Sequence, residues 1–569
     1  MNRLSNRGGR SFGPNRFSLG IEGRVGLWYS WVFKAQDDRM TQYDRLDAAL
    51  AEGMAIAFHA SQAPDRLALD SEFGARTFSE LNARVNQLAR ALRSSGLEPD
   101  DSVAMLMTNR PEFVEIYFAC LRTGLRVTPI NWHLTGDNAA YIVGNCEAKV
   151  FIADVRCREA AADALAEHRD QLALALSVGG PIEGFGDYED SLAPMSDKDL
   201  SHPVLGTQML YTSGTTGRPK GVYRPRLVAP PGAPNRADTV TRAGLAAAWN
   251  PESDRTLCTG PAYHAAPLAF NVVAPLNNGV GTVMMDKWDA LRTLELIESH
   301  QITHTHMVAT MFHRLLALGE STLSRYDASS LRFLLHGAAP CPVHVKQSMI
   351  NWLGPVLFEY YAATEGGGGF FVDSNEWLTK PGSVGRSPEG ADNRILSDDG
   401  EPLPAGAIGT IYFKAPALRF NYFKDEEKTA KSYRGEFFTL GDMGYFDEDG
   451  YLFLTGRSAE TIISGGVNIY PQETDDVLLK HEAVLDACTV GVPNDEWGEE
   501  VKSVVQLRAG FPATAELAAT LINFCREHLP AFKCPRTLDF ADDLPRLPSG
   551  KIQRGLVRAP FWAGRDRQI

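Results

Sequence analysis

The chain lacks the features that mark a membrane protein or a disulfide-stabilised one. Its 569 residues contain no run of about eighteen apolar residues, the length that crosses a bilayer. The eight cysteines are scattered and form no C-x-x-C pair, which argues against a disulfide framework or a zinc site. We therefore predict a cytoplasmic protein with reduced thiols and no membrane span.

An excess of positive charge is also missing. The chain has 70 acidic and 56 basic residues and a net charge of −14. This balance argues against general binding of nucleic acid or of an acidic membrane surface. With 44% apolar and 22% charged residues, the composition is that of an ordinary globular protein, long enough for two or more domains.

The first 39 residues lack a hydrophobic period and are rich in Arg, Gly, Ser and Asn. Their one apolar piece, VGLWYSWVF, is too short for a span, and no small-residue cleavage site follows it. We predict that residues 1–39 are a disordered extension. Residues 40–456 are expected to form a large N-terminal domain, and residues 457–569 a small C-terminal one.

The stretch YTSGTTGRPKGV, residues 211–222, concentrates hydroxyls and glycines ahead of one cation, Lys220. Glycines allow close approach of the backbone, and the N–H groups and hydroxyls supply many donors to one anion. The order is not the G-x-x-x-x-G-K-[ST] of P-loop NTPases, because Arg-Pro-Lys-Gly follows Gly217. A polar surface loop is the alternative, but Lys220 and the ordered pattern favour a phosphate loop of another kind.

Continuous apolar strands alternate with amphipathic helices from about residue 65 onward. Thr77 and Glu80, for example, have capping-box spacing ahead of an apolar helical stripe. Such alternation predicts an α/β fold with doubly wound parallel sheets that are covered on both faces. After about residue 457, two helices and three strands predict a compact α+β unit.

Further motifs follow predicted strands, where open α/β sheets bind ligands. Glu365, after YYAATE, suits Mg²⁺, a hard cation that prefers oxygen ligands. Asp442 and Arg457 can bind the hydroxyls of a ribose, and Lys551 lies in a proline-flanked loop. Each of these motifs alone also has an ordinary interpretation as a turn or a solvated side chain.

Together, the motifs resemble the AMP-forming adenylating enzymes, a superfamily that includes acyl-CoA synthetases, over roughly residues 45–560. The resemblance implies α/β layers plus a β-barrel in the N-terminal part, and a small mobile C-terminal lid. In order, the motifs are residues 211–222, PAYH (261–264), GAAP (337–340), YYAATE (360–365), TLGD (439–442), GR (456–457), SGGVNIYPQE (464–473) and PSGK (548–551).

The resemblance also implies a role for each matching residue. Lys551, Glu365, Thr364 and His264 would be catalytic, and Glu365 would hold the metal ion. Gly465, Gly466 and Trp497 would bind CoA. The ATP site would consist of Thr212, Ser213, Gly214, Thr215, Thr216, Gly217, Lys220, Gly337, Ala338, Ala339, Pro340, Tyr361, Asp442 and Arg457.

Three residues depart from the family pattern. Ala362 replaces the usual Gly, Gly456 precedes Arg457 where Asp is common, and Ala459 occupies the hinge position. Ala459 lacks the side-chain charge that the family usually has at the hinge.

The implied reaction activates a carboxylic acid with ATP and Mg²⁺ as acyl-AMP and then transfers the acyl group to CoA. The segment GPAYHAAPLAFNVV carries no acid to pair a substrate ammonium, and its apolar residues predict a roomy pocket. We expect a fatty acid or a sterol or bile-acid side chain, as in lipid metabolism, with an aryl acid next. The alternatives are a ligase that loads an acyl carrier protein and a catalytically silent nucleotide-binding regulator. The expected assembly is a homodimer.

Overall fold

The computed structural model describes residues 45–212, 218–226, 248–414, 419–547 and 550–564. The extension predicted for residues 1–39 lies outside these ranges. The strands are β1 Leu67–Ser71, β2 Arg76–Thr77, β3 Ser102–Leu106, β4 Arg126–Pro129, β5 Ala148–Asp154, β6 Leu174–Val178, β7 Gly186–Asp187, β8 Thr207–Gln208, β9 Leu210–Thr212, β10 Lys220–Tyr223, β11 Arg255–Cys258, β12 Gly281–Met284, β13 His304–Met307, β14 Phe333–His336, β15 Leu357–Ala363, β16 Gly366–Asp373, β17 Ser383–Arg386, β18 Asn393–Leu396, β19 Gly409–Lys414, β20 Asn421–Tyr422, β21 Tyr433–Arg434, β22 Phe437–Phe446, β23 Tyr451–Arg457, β24 Ile462–Ser464, β25 Val467–Ile469, β26 Val484–Asn494, β27 Gly498–Leu507 and β28 Thr537–Phe540.

Helices cover and connect these strands. The α-helices are α1 Leu46–Ala51, α2 Ala55–Gln62, α3 Phe78–Ser94, α4 Pro111–Leu121, α5 Gly136–Asn145, α6 Arg158–His168, α7 Tyr188–Leu192, α8 Ala265–Pro267, α9 Ala274–Asn277, α10 Ala290–His300, α11 Ala309–Leu316, α12 Glu320–Leu323, α13 Val343–Leu353, α14 Ser374–Thr379, α15 Glu426–Ser432, α16 Pro471–Leu478, α17 Ala515–His528 and α18 Arg554–Arg558. A π-helical turn, Leu268–Val273, joins α8 to α9. Short 3-10 turns are Val155–Cys157, Arg169–Gln171, Ser458–Glu460, Ala531–Lys533 and Ala559–Trp562.

Two large sheets form the N-terminal part. One has six parallel strands in the order β7-β6-β5-β3-β4-β8. The other sheet has fourteen strands. In one section, β1 and β11 to β15 pair in parallel. Beyond β15 the sheet continues with antiparallel pairing through β16 to β19, β22 and β23. The predicted α/β fold class, with a large N-terminal and a small C-terminal domain, is confirmed. The antiparallel section is the part for which the resemblance implied a β-barrel.

Two smaller sheets complete the fold. The strands β20, β10 and β9 form an antiparallel three-stranded sheet. A five-stranded sheet, β25-β24-β27-β26 with β28 beside β27, belongs to the C-terminal part. The proposed boundary between residues 456 and 457 stays a prediction; it falls inside β23, whose last residue is Arg457. In the described ranges, no helix has the length and apolar character needed to cross a membrane.

Local sequence signals account for the helix starts. In α3, the Thr77 hydroxyl accepts a hydrogen bond from the Glu80 N–H at 3.2 Å, and the Glu80 carboxylate accepts one from the Thr77 N–H at 2.8 Å. This capping box satisfies two donors that a helix start leaves unpaired. The apolar stripe of α3, which includes Leu81 and Val85, is fully buried in the N-terminal core.

A buried ion pair ties α13 to β15. The Lys346 Nζ lies 2.6 Å from Glu359 Oε2 and 4.7 Å from the centre of the Trp377 ring, and the Lys346 side chain is 0% exposed. His336 lies beside this pair, with its Nε2 3.7 Å from the same carboxylate oxygen. Burial and then the Lys346 charge lower the pKa of His336, so its imidazole is neutral. Lys346 is therefore the cation that compensates Glu359.

We predict that Lys346→Met lowers the free energy of unfolding by about 3–5 kcal/mol, because it leaves the Glu359 carboxylate buried without a cation. Chemical denaturation measures the change. Ser348→Ala, at an exposed position of the same helix, should change stability by no more than about 0.5 kcal/mol. Adding Glu359→Leu to Lys346→Met should restore most of the loss; a double variant no more stable than the single one would contradict this account.

Candidate active site

The predicted phosphate loop is anchored on the three-stranded sheet. Thr212, the last residue of β9, pairs with Lys220, the first residue of β10. The loop residues Ser213, Gly214, Thr215, Thr216 and Gly217 lie outside the described ranges. The Lys220 Nζ is 3.7 Å from Asp425 Oδ2 and 5.7 Å from the centre of the Tyr422 ring. The ammonium is thus held where the two strands diverge into the loop.

Thr364 and Glu365 form the tip of the hairpin between β15 and β16. The last paired residues are Ala363 and Gly366, which leaves these two between them. Glu365 is 8% exposed, and its Oε1 accepts a hydrogen bond of 2.9 Å from the Tyr422 hydroxyl. Glu365 Oε2 has no hydrogen-bond partner among the described residues. This carboxylate is thus anchored through one oxygen.

The GAAP segment, Gly337 to Pro340, follows β14 and lies against β15. A Cβ at Gly337 would stand 2.6 Å from both the ring and the carbonyl oxygen of Tyr360, so only glycine fits. Ala338 adopts a left-handed backbone, with φ of 67°, which a non-glycine residue takes at a cost. Ala339 and Pro340 continue the chain toward α13, which begins at Val343.

The predicted ribose residues are brought together. The Tyr361 hydroxyl donates to Asp442 Oδ2 at 2.6 Å, and the Arg457 Nε donates to Asp442 Oδ1 at 3.0 Å. Asp442 and Arg457 also pair across β22 and β23. Burial, and then the Asp442 carboxylate, raise the pKa of Tyr361, which therefore remains a neutral donor.

The Lys551 loop docks against the N-terminal part. A bridge between Arg546 and Ile552 closes the loop, and Gly550 faces Thr310, whose Oγ1 would lie 2.2 Å from an added Cβ. Burial lowers the pKa of Lys551, as does the charge of nearby Arg457. Lys551 therefore lies within electrostatic reach of the Asp442–Arg457 pair.

His264 begins the helical segment that follows PAYH. Burial, and then the proximity of His133, lower the pKa of His264 to about 4, so the ring is neutral at pH 7. Its Nε2 is buried and has no hydrogen-bond partner within the described ranges. Within the part of the chain that the structure describes, no hydrogen bond or ion pair joins His264 to Lys551 or Glu365.

A cluster of rings forms around Tyr360, the residue that precedes Tyr361 on β15. The Phe270 ring stacks on His306 with centroids 6.1 Å apart and tilts against Tyr360 at 5.2 Å. The Tyr360 hydroxyl lies 3.2 Å from His306 Nε2, and burial lowers the pKa of His306 to about 3. Phe270 and Tyr360 are only half-buried. We call Phe270, His306 and Tyr360 the ring cluster.

The predicted CoA residues meet in the small domain. Gly465 and Gly466 form the turn between β24 and β25, and the Gly465 N–H donates to the Trp497 carbonyl at 2.8 Å. A Cβ at Gly465 would stand 2.4 Å from the Trp497 ring, whereas at Gly466 no described atom lies within 4 Å. Trp497 is 41% exposed, and the Arg536 guanidinium lies 5.4 Å from its ring centre.

Two family models match this chain. The AMP-binding enzyme model covers residues 56–423, and the model of the AMP-binding enzyme C-terminal domain covers residues 473–551. The chain belongs to the AMP-binding enzyme family. The family resemblance inferred from the motifs is thereby confirmed.

Relatives of this AMP-binding enzyme act on different acids. It is 31% identical over 507 residues to the indoleacetate–CoA ligase of Aromatoleum aromaticum, covering 88% of this chain and 96% of the relative. It is 29% identical over 525 residues to the fatty acid–[acyl-carrier-protein] ligase ScoC of Streptomyces coeruleorubidus. This match covers 90% of this chain and 97% of the relative. The crystal structure of the anthranilate CoA ligase AuaEII with anthranoyl-AMP superposes with a TM-score of 0.79 at 24% identity, covering 90% of this chain and 97% of that one. This last likeness shows the fold.

Several residues of the enzyme's site were missed in the sequence. Tyr422 and Asp425 lie between the predicted motifs. His306 lies in a predicted strand, and Tyr360 belongs to the YYAATE motif but was assigned no role of its own. The Tyr-Phe-Lys-Asp segment that follows Asn421 is a polar-aromatic run, the one local signal for Tyr422 and Asp425. His306 had no such signal, since a lone histidine in a strand is more often a core residue.

We predict that Gly337→Ala lowers kcat/KM for ATP by roughly 10²-fold, because the new Cβ would push Tyr360 and Tyr361 out of position. Steady-state kinetics at varied ATP concentration test this, with the largest effect expected on KM. Gly555→Ala is the matched control, since no described atom lies within 4 Å of its added Cβ. Equal kinetics for the two variants would contradict the close fit at Gly337.

Proposed function

We propose that this AMP-forming acid–thiol ligase activates a ring-bearing, apolar carboxylic acid as acyl-AMP and transfers the acyl group to CoA. The observation that carries the proposal is the ring cluster. Tyr360 belongs to it and is followed directly by Tyr361, which binds the Asp442 carboxylate. The two side chains point to opposite faces of β15. We infer that the acyl group joined to AMP reaches past the strand to the half-buried rings of Phe270 and Tyr360.

The charge of the pocket supports an apolar acid. His264 and His306 are both neutral, because burial lowers their pKa to about 4 and about 3. The segment from Gly260 to Val273 carries no acidic residue that could pair a substrate ammonium. Stacking on aromatic faces favours a flat ring, which brings aryl acids ahead of the fatty or sterol acids expected from the sequence.

The first half-reaction must bring two anions together. The substrate carboxylate attacks the α-phosphorus of ATP, the bond to the β-phosphate breaks, and pyrophosphate leaves. Lys551 and Lys220 would stabilise the negative charge that accumulates there. His264, whose Nε2 is unpaired among the described residues, would hydrogen-bond the substrate as a neutral imidazole.

Mg²⁺ fits the carboxylate of Glu365. Among the described residues, no group of three or more His, Cys, Asp or Glu side chains could hold a metal ion. A magnesium ion that uses one carboxylate and the phosphates of its substrate needs no such group. Glu365 is fixed through Oε1 by Tyr422, which leaves Oε2 for the ion. When bound, Mg²⁺ would neutralise charge on the phosphates.

The second half-reaction needs a different arrangement of the small domain. The Lys551 loop docks through Gly550 beside Thr310, whereas Gly466 faces open space. We infer that this arrangement is the one that forms acyl-AMP. We infer that rotation at the Ser458–Glu460 turn exchanges the two and opens a pantetheine channel past Gly465 and Gly466. The thiolate of CoA would then attack the acyl carbonyl and expel AMP.

A second candidate is a fatty acid or sterol side chain as substrate, or an acyl carrier protein as acceptor. The likeness to the ScoC ligase supports this alternative. The homodimer and the cytoplasmic location stay predictions.

Product analysis tests the proposed function. The purified protein with ATP, Mg²⁺ and CoA should form AMP and pyrophosphate with aryl acids such as indoleacetate or ferulate. The kcat/KM for a preferred aryl acid should exceed that for octanoate by at least about 10-fold, a difference of ~1.4 kcal/mol. Phe270→Ala should reduce this ratio. A preference for octanoate or a steroid side chain would favour the second candidate, and ADP as product would overturn both.

Two variants separate the half-reactions. Lys551→Ala should slow acyl-AMP formation by on the order of 10²–10³-fold, while CoA still attacks acyl-AMP that is supplied ready-made. Gly466→Leu should do the reverse, because its open surroundings admit the side chain in the docked arrangement but would obstruct the channel. Pyrophosphate release and acyl-CoA formation follow the two steps. Equal slowing of both steps by Lys551→Ala would rule out the division of labour.

A further inference from the structure

The hairpin tip that carries Glu365 has little backbone support of its own. The ladder between β15 and β16 ends at the Ala363–Gly366 pair, so the carbonyls of Thr364 and Glu365 have no strand partner. Gly366 and Gly367 follow with φ of 106° and 123°, conformations that only glycine adopts easily. Something outside the hairpin must fix the tip if Glu365 is to act at a defined place.

Arg224 supplies this support. It follows β10, four residues after Lys220, and its Nη1 donates to the Thr364 carbonyl at 3.4 Å. Its Nη2 donates to the Glu365 carbonyl. The guanidinium therefore satisfies two carbonyls that the ladder leaves open.

Arg224 is a charged side chain in a position where a neutral donor could also bind the two carbonyls. Burial lowers the pKa of Arg224, and the Glu365 carboxylate acts against this effect. No carboxylate among the described residues forms an ion pair with it. Arg224 is half-buried, and its hydrogen bonds among the described residues go to carbonyls, so the desolvation of its positive charge is not offset by an ion pair. Such a cost is consistent with a role beside a site for anions.

The three-stranded sheet completes the support. Its central strand, β10, pairs with β20, which carries Tyr422. Tyr422 anchors the Glu365 carboxylate while Arg224 anchors the backbone of the same residue. The strand that begins with Lys220 thus also supports the tip that carries Glu365.

We propose that Arg224 is a positioning residue for the first half-reaction: it holds the Thr364–Glu365 tip so that the Glu365 carboxylate meets the metal-bound phosphates. This inference rests on the proposed function, in which Glu365 receives Mg²⁺. It predicts that Arg224 affects the metal dependence of acyl-AMP formation and leaves the CoA step alone.

The test compares Arg224→Met with Arg226→Met. Arg226 lies two residues further on and instead pairs with Asp100, at 3.0 Å. Arg224→Met should slow acyl-AMP formation by roughly 10–100-fold and raise the Mg²⁺ concentration for half-maximal rate by about 10-fold. Arg226→Met should change neither, and both variants should convert synthetic acyl-AMP and CoA at the parent rate. Arg224→Lys, which keeps the charge and can reach one carbonyl, should recover part of the loss.

A binding measurement adds a readout that does not depend on turnover. In thermal unfolding, the extra stabilisation that Mg²⁺ gives to the ATP complex should be lost in Arg224→Met and kept in Arg226→Met. A merely structural role would instead lower the melting temperature without ligand and slow both half-reactions. That outcome, or identical metal dependence in the two variants, would overturn the inference.

A double variant shows whether Arg224 acts through Glu365. Arg224→Met combined with Glu365→Gln should form acyl-AMP no more slowly than Glu365→Gln alone. Additive losses would overturn the inference. If Glu365→Gln is slow but Arg224→Met is not, the inference fails and the proposed function stands. If Glu365→Gln works at the parent rate, the proposed role of Glu365 fails and the inference fails with it.

Discussion

The strand Leu357–Ala363 and the tip after it hold the site together. Because successive residues of a strand point to opposite faces, Tyr360 lies in the ring cluster while Glu359 and Tyr361 face the other way. Glu359 binds Lys346, and Tyr361 binds Asp442. A shift of this strand by one residue would exchange the faces, so Tyr360 would leave the ring cluster and Tyr361 would leave Asp442. The buried ion pair with Lys346 helps to fix this register, because it holds Glu359 in place.

Contiguous motifs were predictable because their chemistry lies in neighbouring residues. The capping box of α3, the strand before Gly337 and the strand before Thr364 all follow from local pattern. The meeting of Tyr361, Asp442 and Arg457 was inferred only through the family resemblance, since 81 positions separate Tyr361 from Asp442. Arg224 and Tyr422 were missed, because their contacts with the tip depend on the pairing of β10 with β20, which no local signal indicates.

The apolar segment after PAYH shows the limit of composition. Leu268 and Val272, which we assigned to the pocket together with their neighbours, pack into the N-terminal core, whereas Ala269 is exposed and Phe270 half-buried. Residues four apart share one face of a helix, so Leu268 and Val272 are buried together. An unbroken apolar run does not reveal which face is buried.

The backbone explains why Gly456 departs from the family pattern. Its φ of 141° suits glycine better than the Asp that is common at this position.

Local electrostatics explain how a chain with a net charge of −14 could bind the two anions of the proposed first half-reaction, a carboxylate and ATP. The cations of the site are held in separate local settings. Lys220 lies beside Asp425, Arg457 beside Asp442, and Arg224 against two carbonyls. Because each cation is held by a different partner, the approach of polyphosphate need not reorganise them, which is the condition under which fixed charges stabilise a transition state most effectively. Lys551 differs, because it arrives on the docked loop of the small domain. The charge that lies in the domain we propose to rotate is thus the one proposed for the first half-reaction alone.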